Sequence, residues 1–157
     1  MGRIVMAVAM AVLAISVCAE EHGKAPHGGA MVELGEHFGH LEVAVDAGTG
    51  KISAYSMDCD HKAVRLKQNE IEIEISHINK AEGKPLKLKL KPVANVLTGE
   101  KEGETSEFSV QSDALKGAKT FSGEIEEVKF KGKSFKDVDF KFPEGSVEDE
   151  HGHDHKK

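Results

Sequence analysis

From Met31 almost to Phe142 the apolar residues recur at every second position, and that period confines the chain to β-structure. Successive side chains of a strand point to opposite faces, so a period of two means one buried and one wetted face. The pattern is strictest where Ile71, Ile73 and Ile75 alternate with Glu70, Glu72 and Glu74, and where Leu86, Leu88 and Leu90 alternate with Lys87, Lys89 and Lys91. These two segments carry opposite charges on their polar faces, so as neighbours their outer faces attract. Weaker alternation runs through Leu41, Val43 and Val45, then Ile52, Ala54 and Ser56, then Phe108 and Val110. It returns at Ile125, Val128 and Phe130 and at Phe135, Val138, Phe140 and Phe142. Residues 46–50 (DAGTG), residues 58–62 (DCDHK) and Gly132-Lys133 supply turn chemistry, and residues 112–118 are read as a single helical turn. About seven or eight short strands with turn signals every 8–12 residues or so predict an all-β domain. The pattern suits an antiparallel β-sandwich, immunoglobulin-like or similar, or a small barrel, and the sandwich is favoured.

The ends do not share this pattern. Arg3 followed by an apolar run over residues 4–17 reads as a secretory signal peptide, too short for a transmembrane span. Val17-Cys18-Ala19 places the cut after Ala19, giving a signal at residues 1–19 and mature protein from Glu20. Lipid anchoring at Cys18 is the competing reading, disfavoured by Val17 before the cysteine, and either places the domain in the periplasm or outside the cell. Removing Cys18 leaves Cys59 without an intramolecular disulfide partner. Residues 20–30 read as an irregular arm, residues 31–143 as the β-domain, and residues 144–157 as a disordered acidic, His-rich tail. The formal net charge is −6, and loss of Arg3 with the signal makes it −7, which argues against nucleic acid or an anionic membrane as partner.

Histidine carries what chemistry the sequence offers, with nine in the chain. His151, His153 and His155 alternate in the tail around Asp154, a composition able to close on zinc, copper, nickel or cobalt; a solvated tail is the plainer reading. His27 in Pro26-His27-Gly28-Gly29 is followed by His37 and His40, and the two glycines let the arm turn back towards the first strands. A Gly-Gly turn and a polar hairpin tip explain the same residues without a ligand. Met57, Cys59 and His61 form a third candidate, a soft copper set, against a turn at residues 58–62 and a cysteine acting as small apolar filler. His22 is a further candidate in the arm, and His77 reads as a strand-end residue. No H-E-x-x-H, G-x-S-x-G, nucleotide loop or thiol-hydrolase signature is present, so no catalytic residues are assigned and the chain is read as a non-enzyme without organic cofactor.

Residues 26–66 (PHGGAMVELGEHFGHLEVAVDAGTGKISAYSMDCDHKAVRL) resemble a group of small exported bacterial proteins with a P-H-G-G segment, an E-L-G step and an H-x-E-x-x-x-D strand before a hairpin. A similar H-G-G stretch stands near the N-terminus of some periplasmic adaptor subunits of heavy-metal efflux pumps. The resemblance covers about a quarter of the chain and implies His27 and His40 as characteristic residues. It lacks an adaptor's helical hairpin and lipoyl-like parts, so it implies a free-standing domain. The expected function is an exported metal-binding protein, a Zn, Cu, Ni or Co buffer or carrier accessory to an envelope efflux component. The alternative is a non-catalytic envelope interaction module whose histidines are incidental.

Overall fold

The computed structural model describes residues 24–36 and 38–147. Among these residues the chain forms nine strands: β1 (Ala30–Leu34), β2 (Gly39–Asp46), β3 (Lys51–Met57), β4 (Ile71–Ser76), β5 (Leu86–Pro92), β6 (Glu107–Gln111), β7 (Phe121–Phe130), β8 (Lys133–Phe142) and β9 (Gly145–Ser146). All neighbours are antiparallel, in the order β1-β2-β3-β6-β5-β4-β7-β8-β9. The fold is therefore all-β and antiparallel, with its two layers continuous in one sheet that curls until it nearly closes into a barrel. One joint between the layers is short: β5 meets β6 only at Lys91↔Ser109 and Pro92↔Phe108. At the other, Gly145 packs against the Met31 backbone and the Glu33 amide donates to Ser146 Oγ at 2.6 Å. Gly145 and Ser146, which the sequence reading places in the tail, form β9 beside β8 and pack against β1.

Two elements lie outside the simple alternation. Val64 and Leu66, apolar at alternate positions, form no named strand, and their stretch makes the isolated bridges Met57↔Ala63 and Leu66↔Thr105. A 3₁₀ turn at Ile78–Lys80 was not expected, whereas the one at Asp113–Leu115 falls inside residues 112–118 as read.

The core is the inward set of the alternation. Val32, Leu41, Val43, Ile52, Ile71, Ile73, Leu90, Phe108, Ile125, Phe130 and Phe140 are all buried in one contiguous cluster. Each such side chain contributes roughly 1.5–3 kcal/mol of transfer free energy, opposed by the entropy of ordering the chain. One end of the barrel is closed by rings: Phe38 stands edge-on to Phe130 at 6.1 Å and tilted against Phe135 at 5.6 Å. Gly39 is necessarily glycine, since a Cβ there would lie 2.5 Å from the Phe130 ring.

The opposed charged strands are neighbours. β4 and β5 pair with Glu72↔Lys89 and Glu74↔Lys87 in register, and Lys89 reaches both Glu70 at 2.9 Å and Glu72 at 3.2 Å. Hydrogen bonds from Lys91 and then Lys89 hold the Glu70 carboxyl down to about 2 from an ordinary 4.5. A carboxyl held low in the fold stabilises it at pH above the unfolded value, and that contribution is lost as pH falls from about 4.5 towards 2. Comparing melting temperatures between pH 5 and pH 2, we expect the wild type to lose more than Glu70→Gln does, and about 1 M salt to shrink the difference because the ladder is exposed. Equal losses in the two proteins would remove Glu70 from the acid response.

Candidate metal centre

The P-H-G-G segment is fastened to β2 by one buried carboxylate. Glu42 points outward by strand parity, yet it is fully buried, because residues 27–29 fold back over it. Its Oε1 accepts the amides of His27 at 2.8 Å and Gly29 at 2.9 Å, and its Oε2 lies 2.7 Å from His27 Nδ1. A carboxylate only accepts, so Nδ1 carries the proton. The two glycines do separate work here: Gly28 closes a turn onto Ala25 at φ 73°, and a Cβ on Gly29 would stand 2.4 Å from the Val43 carbonyl oxygen. The His27 ring stacks on Tyr55 of β3, centroids 3.7 Å apart and planes 9° off parallel. Tyr55 is the cross-strand partner of Glu42, so one register pair seats both the carboxylate and the ring. This leaves Nε2 as the remaining donor or acceptor of a side chain that is 45% exposed. Carboxylate support at one ring nitrogen is the arrangement that orients a histidine for metal at the other.

Two residues further along the same face, His40 stands opposite Met57. The chain then turns at residues 58–62: Asp58 accepts the His61 amide on its carbonyl at 3.0 Å and the Asp60 and Lys62 amides on its carboxylate at 2.9 and 3.0 Å. His61 takes φ 58° in that turn and its ring meets His40 edge-on, centroids 6.1 Å apart and planes at 87°. Met57 is 3% exposed but lies outside the contiguous core, as its position on the outer face requires. The outer face of β2 and β3 thus carries His40, Met57 and His61 at one end and His27, Glu42 and Tyr55 beside them.

The sequence-predicted ligands are therefore regrouped. His40 is brought to His61, from a different cluster, while His27 is engaged with Glu42 and Tyr55. Cys59 is disulfide-bonded in the full chain, whereas cleavage after Ala19 would remove the chain's other cysteine and return Cys59 to a thiol between Met57 and His61. The chain's other cysteine, Cys18, lies outside the described residues, as do His22, His37, His151, His153 and His155. His77 is a strand-end residue bonded to Ser76 Oγ at 3.0 Å. Among the described residues no three His, Cys, Asp or Glu side chains stand together as a metal-binding group. Glu42 and Tyr55 were not singled out by sequence: Glu42 sits in the outward phase of its strand, and only its place in the H-x-E step hinted at a role.

A separate row of ionisable groups crosses the opposite layer, where Glu74, Glu124 and Asp139 are aligned in register. Desolvation, then the charges of Asp139, Asp137, Glu74 and Glu126, push the Glu124 carboxyl up. The row contains no imidazole or thiol and is not continuous with the histidine face. No family model, curated protein or solved structure matches this chain.

Proposed function

We propose that the protein is an exported metal-binding domain, a periplasmic or secreted buffer or carrier that holds a transition-metal ion on the outer face of β2 and β3 and serves a heavy-metal efflux system. The observation that carries this reading is the approach of His40 and His61, whose rings come within 6.1 Å although they lie on different elements. The oriented His27 beside them and the signal-like segment at residues 1–19 add support. His151, His153 and His155 would act as a flexible capture segment, weaker because it must be ordered on binding.

The test is calorimetric titration of the full chain with zinc, nickel and copper at neutral pH, beside full-length proteins carrying His40→Ala or alanine at all three tail histidines. Cutting the chain at Gly145 is not equivalent, because it removes Ser146 and the hydrogen bond that covers β1. Binding that falls with His40→Ala, survives loss of the tail histidines and fades as pH drops through about 6.5 is expected, since imidazole must be deprotonated to coordinate. Binding lost only with the tail histidines reduces the claim to a flexible scavenger.

An envelope interaction module is the second reading, and one observation favours it. Val96 and Leu97 are 97% and 96% exposed at the tip of a loop held by the Asn95–Glu100 backbone pair, the Leu97 amide on Asn95 Oδ1, and Arg65 on the Thr98 carbonyl. Two apolar side chains held out on an ordered tip suit an apolar pocket on another protein. No metal binding in any of the titrated proteins would leave this reading in front.

A further inference from the structure

We infer that the mature amino terminus, Glu20-Glu21-His22, is a square-planar site for Cu(II) or Ni(II), separate from the histidines of the barrel face. The inference rests on the export part of the reading above, because cleavage after Ala19 is what turns an internal stretch into a terminus.

The cut itself makes the donor set. Glu20 gains a free α-amine, and the imidazole of the third residue, His22, follows after two peptide nitrogens, those of Glu21 and His22. An amine, two successive amide nitrogens and the imidazole Nδ1 close fused chelate rings around one ion, with four nitrogens in a plane. A tetragonal nitrogen set is the geometry of Cu(II) and Ni(II). Both amides must give up their protons to the ion. Cu(II) stands highest in the affinity order for such ligands, Ni(II) stands above Co(II), and Zn(II) takes a tetrahedron instead. Proline at either amide position would remove a donor, and the first proline of the chain is Pro26.

All four ligands belong to three consecutive residues, so covalent connectivity and not the fold sets their spacing. These residues precede Lys24, where the described structure begins. That structure fixes where the ion is held. Glu42 Oε2 lies 2.7 Å from His27 Nδ1, Glu42 Oε1 accepts the His27 amide at 2.8 Å, and the Gly28 amide closes a turn onto the Ala25 carbonyl. The arm is thereby fastened to β2 from Ala25 onward. Four residues span at most about 14 Å, so an ion at Glu20 stays within that reach of Lys24, on the side of the barrel that carries His27. His27 does not compete for it with the same nitrogen, because its Nδ1 is committed to Glu42.

The test uses exported protein, Glu20 to Lys157, which contains every described element, with His151, His153 and His155 replaced by alanine. Mass spectrometry establishes the terminus, and a chain that begins anywhere but Glu20 overturns the assignment. Ni(II), which leaves thiols unoxidised, is titrated by calorimetry beside Zn(II). The comparison proteins carry one alanine added before Glu20, His22→Ala, or His40→Ala. We expect one planar Ni(II) per chain, yellow and diamagnetic, bound with release of about three protons from the amine and the two amides. The added alanine moves the imidazole to fourth place. It and His22→Ala should each weaken Ni(II) at least about a hundredfold and abolish the planar signature, which His40→Ala leaves intact. A planar signature that survives both changes, or Ni(II) bound only as a six-coordinate paramagnetic ion, overturns the terminal site. If His40→Ala then weakens Ni(II) or Zn(II), the metal-binding reading of the barrel face stands without it. If no variant alters the binding of either metal, both fall together.

Discussion

Glu42→Ala is expected to release residues 25–29 from the barrel and to lower the unfolding free energy by about 3 kcal/mol. The size follows from what the carboxylate holds: two backbone amides and an imidazole N–H, all converging on a side chain with no solvent access. Hydrogen bonds to a charged acceptor contribute about 1.5–3 kcal/mol each, but the segment can leave the surface and regain water, so the loss stays well below the sum. Glu42→Gln keeps one oxygen for the amides and should cost about 1 kcal/mol. Denaturant unfolding gives the free energies, and hydrogen exchange at the His27 and Gly29 amides reports the segment directly. Unchanged exchange at those two amides in Glu42→Ala would sink the idea that this carboxylate fastens the arm.

Phe130→Ala is expected to cost about 3–5 kcal/mol, a large part of the 5–15 kcal/mol typical of a whole domain. The ring has no exposed surface, meets Phe38 edge-on, and covers the bare backbone of Gly39 across the barrel. Its loss opens a void bounded by β2 on one side and β7 on the other, and two paired strands cannot collapse far to fill it. Gly39→Ala alone should also destabilise, because its methyl would meet the ring. The double variant should then cost less than the two singles added, since the new methyl occupies space the ring has left. Thermal and denaturant unfolding of all three proteins measure this. A Phe130→Ala cost below about 1 kcal/mol, or strict additivity, would contradict the packing described.

The strands were legible because alternation is a local property. The faces and the sign of the Glu/Lys ladder could be read, since a period of two fixes which side chains are inward; the pairing of β4 with β5 and its register came from the structure. The step from Ile125 to Val128 shows a phase slip in the sequence, and the structure takes it up between the pairs Ile125↔Val138 and Glu127↔Lys136, where Asp137 has φ 52°. Even the approach of Met57 to His40 was countable, because pairing runs back from Asp46↔Lys51 at the hairpin tip. Other features were out of reach. The burial of Glu42 depends on an arm folding back over an outward position, which no period encodes. β9 is two residues long, paired to the end of β8 and packed on β1, too short for any period to reveal. The regrouping of His40 with His61 came from the turn at residues 58–62, which aims a ring back over β2 in a way that sequence spacing does not specify.

The seam between β1 and β9 also sets the order in which the molecule can be completed. The Glu33 amide waits for Ser146, a contact spanning 113 residues, so the strand formed from the earliest described residues keeps an open edge until the last strand is available. Closing so long a loop costs entropy before the contact repays it, and topologies of this kind complete folding in milliseconds to seconds. A chain emerging from its N-terminus therefore has a slow final step, during which β1 is a template for pairing with another molecule. Chains ending before Gly145 would be held at that step, folded over most of the sheet and prone to associate along β1.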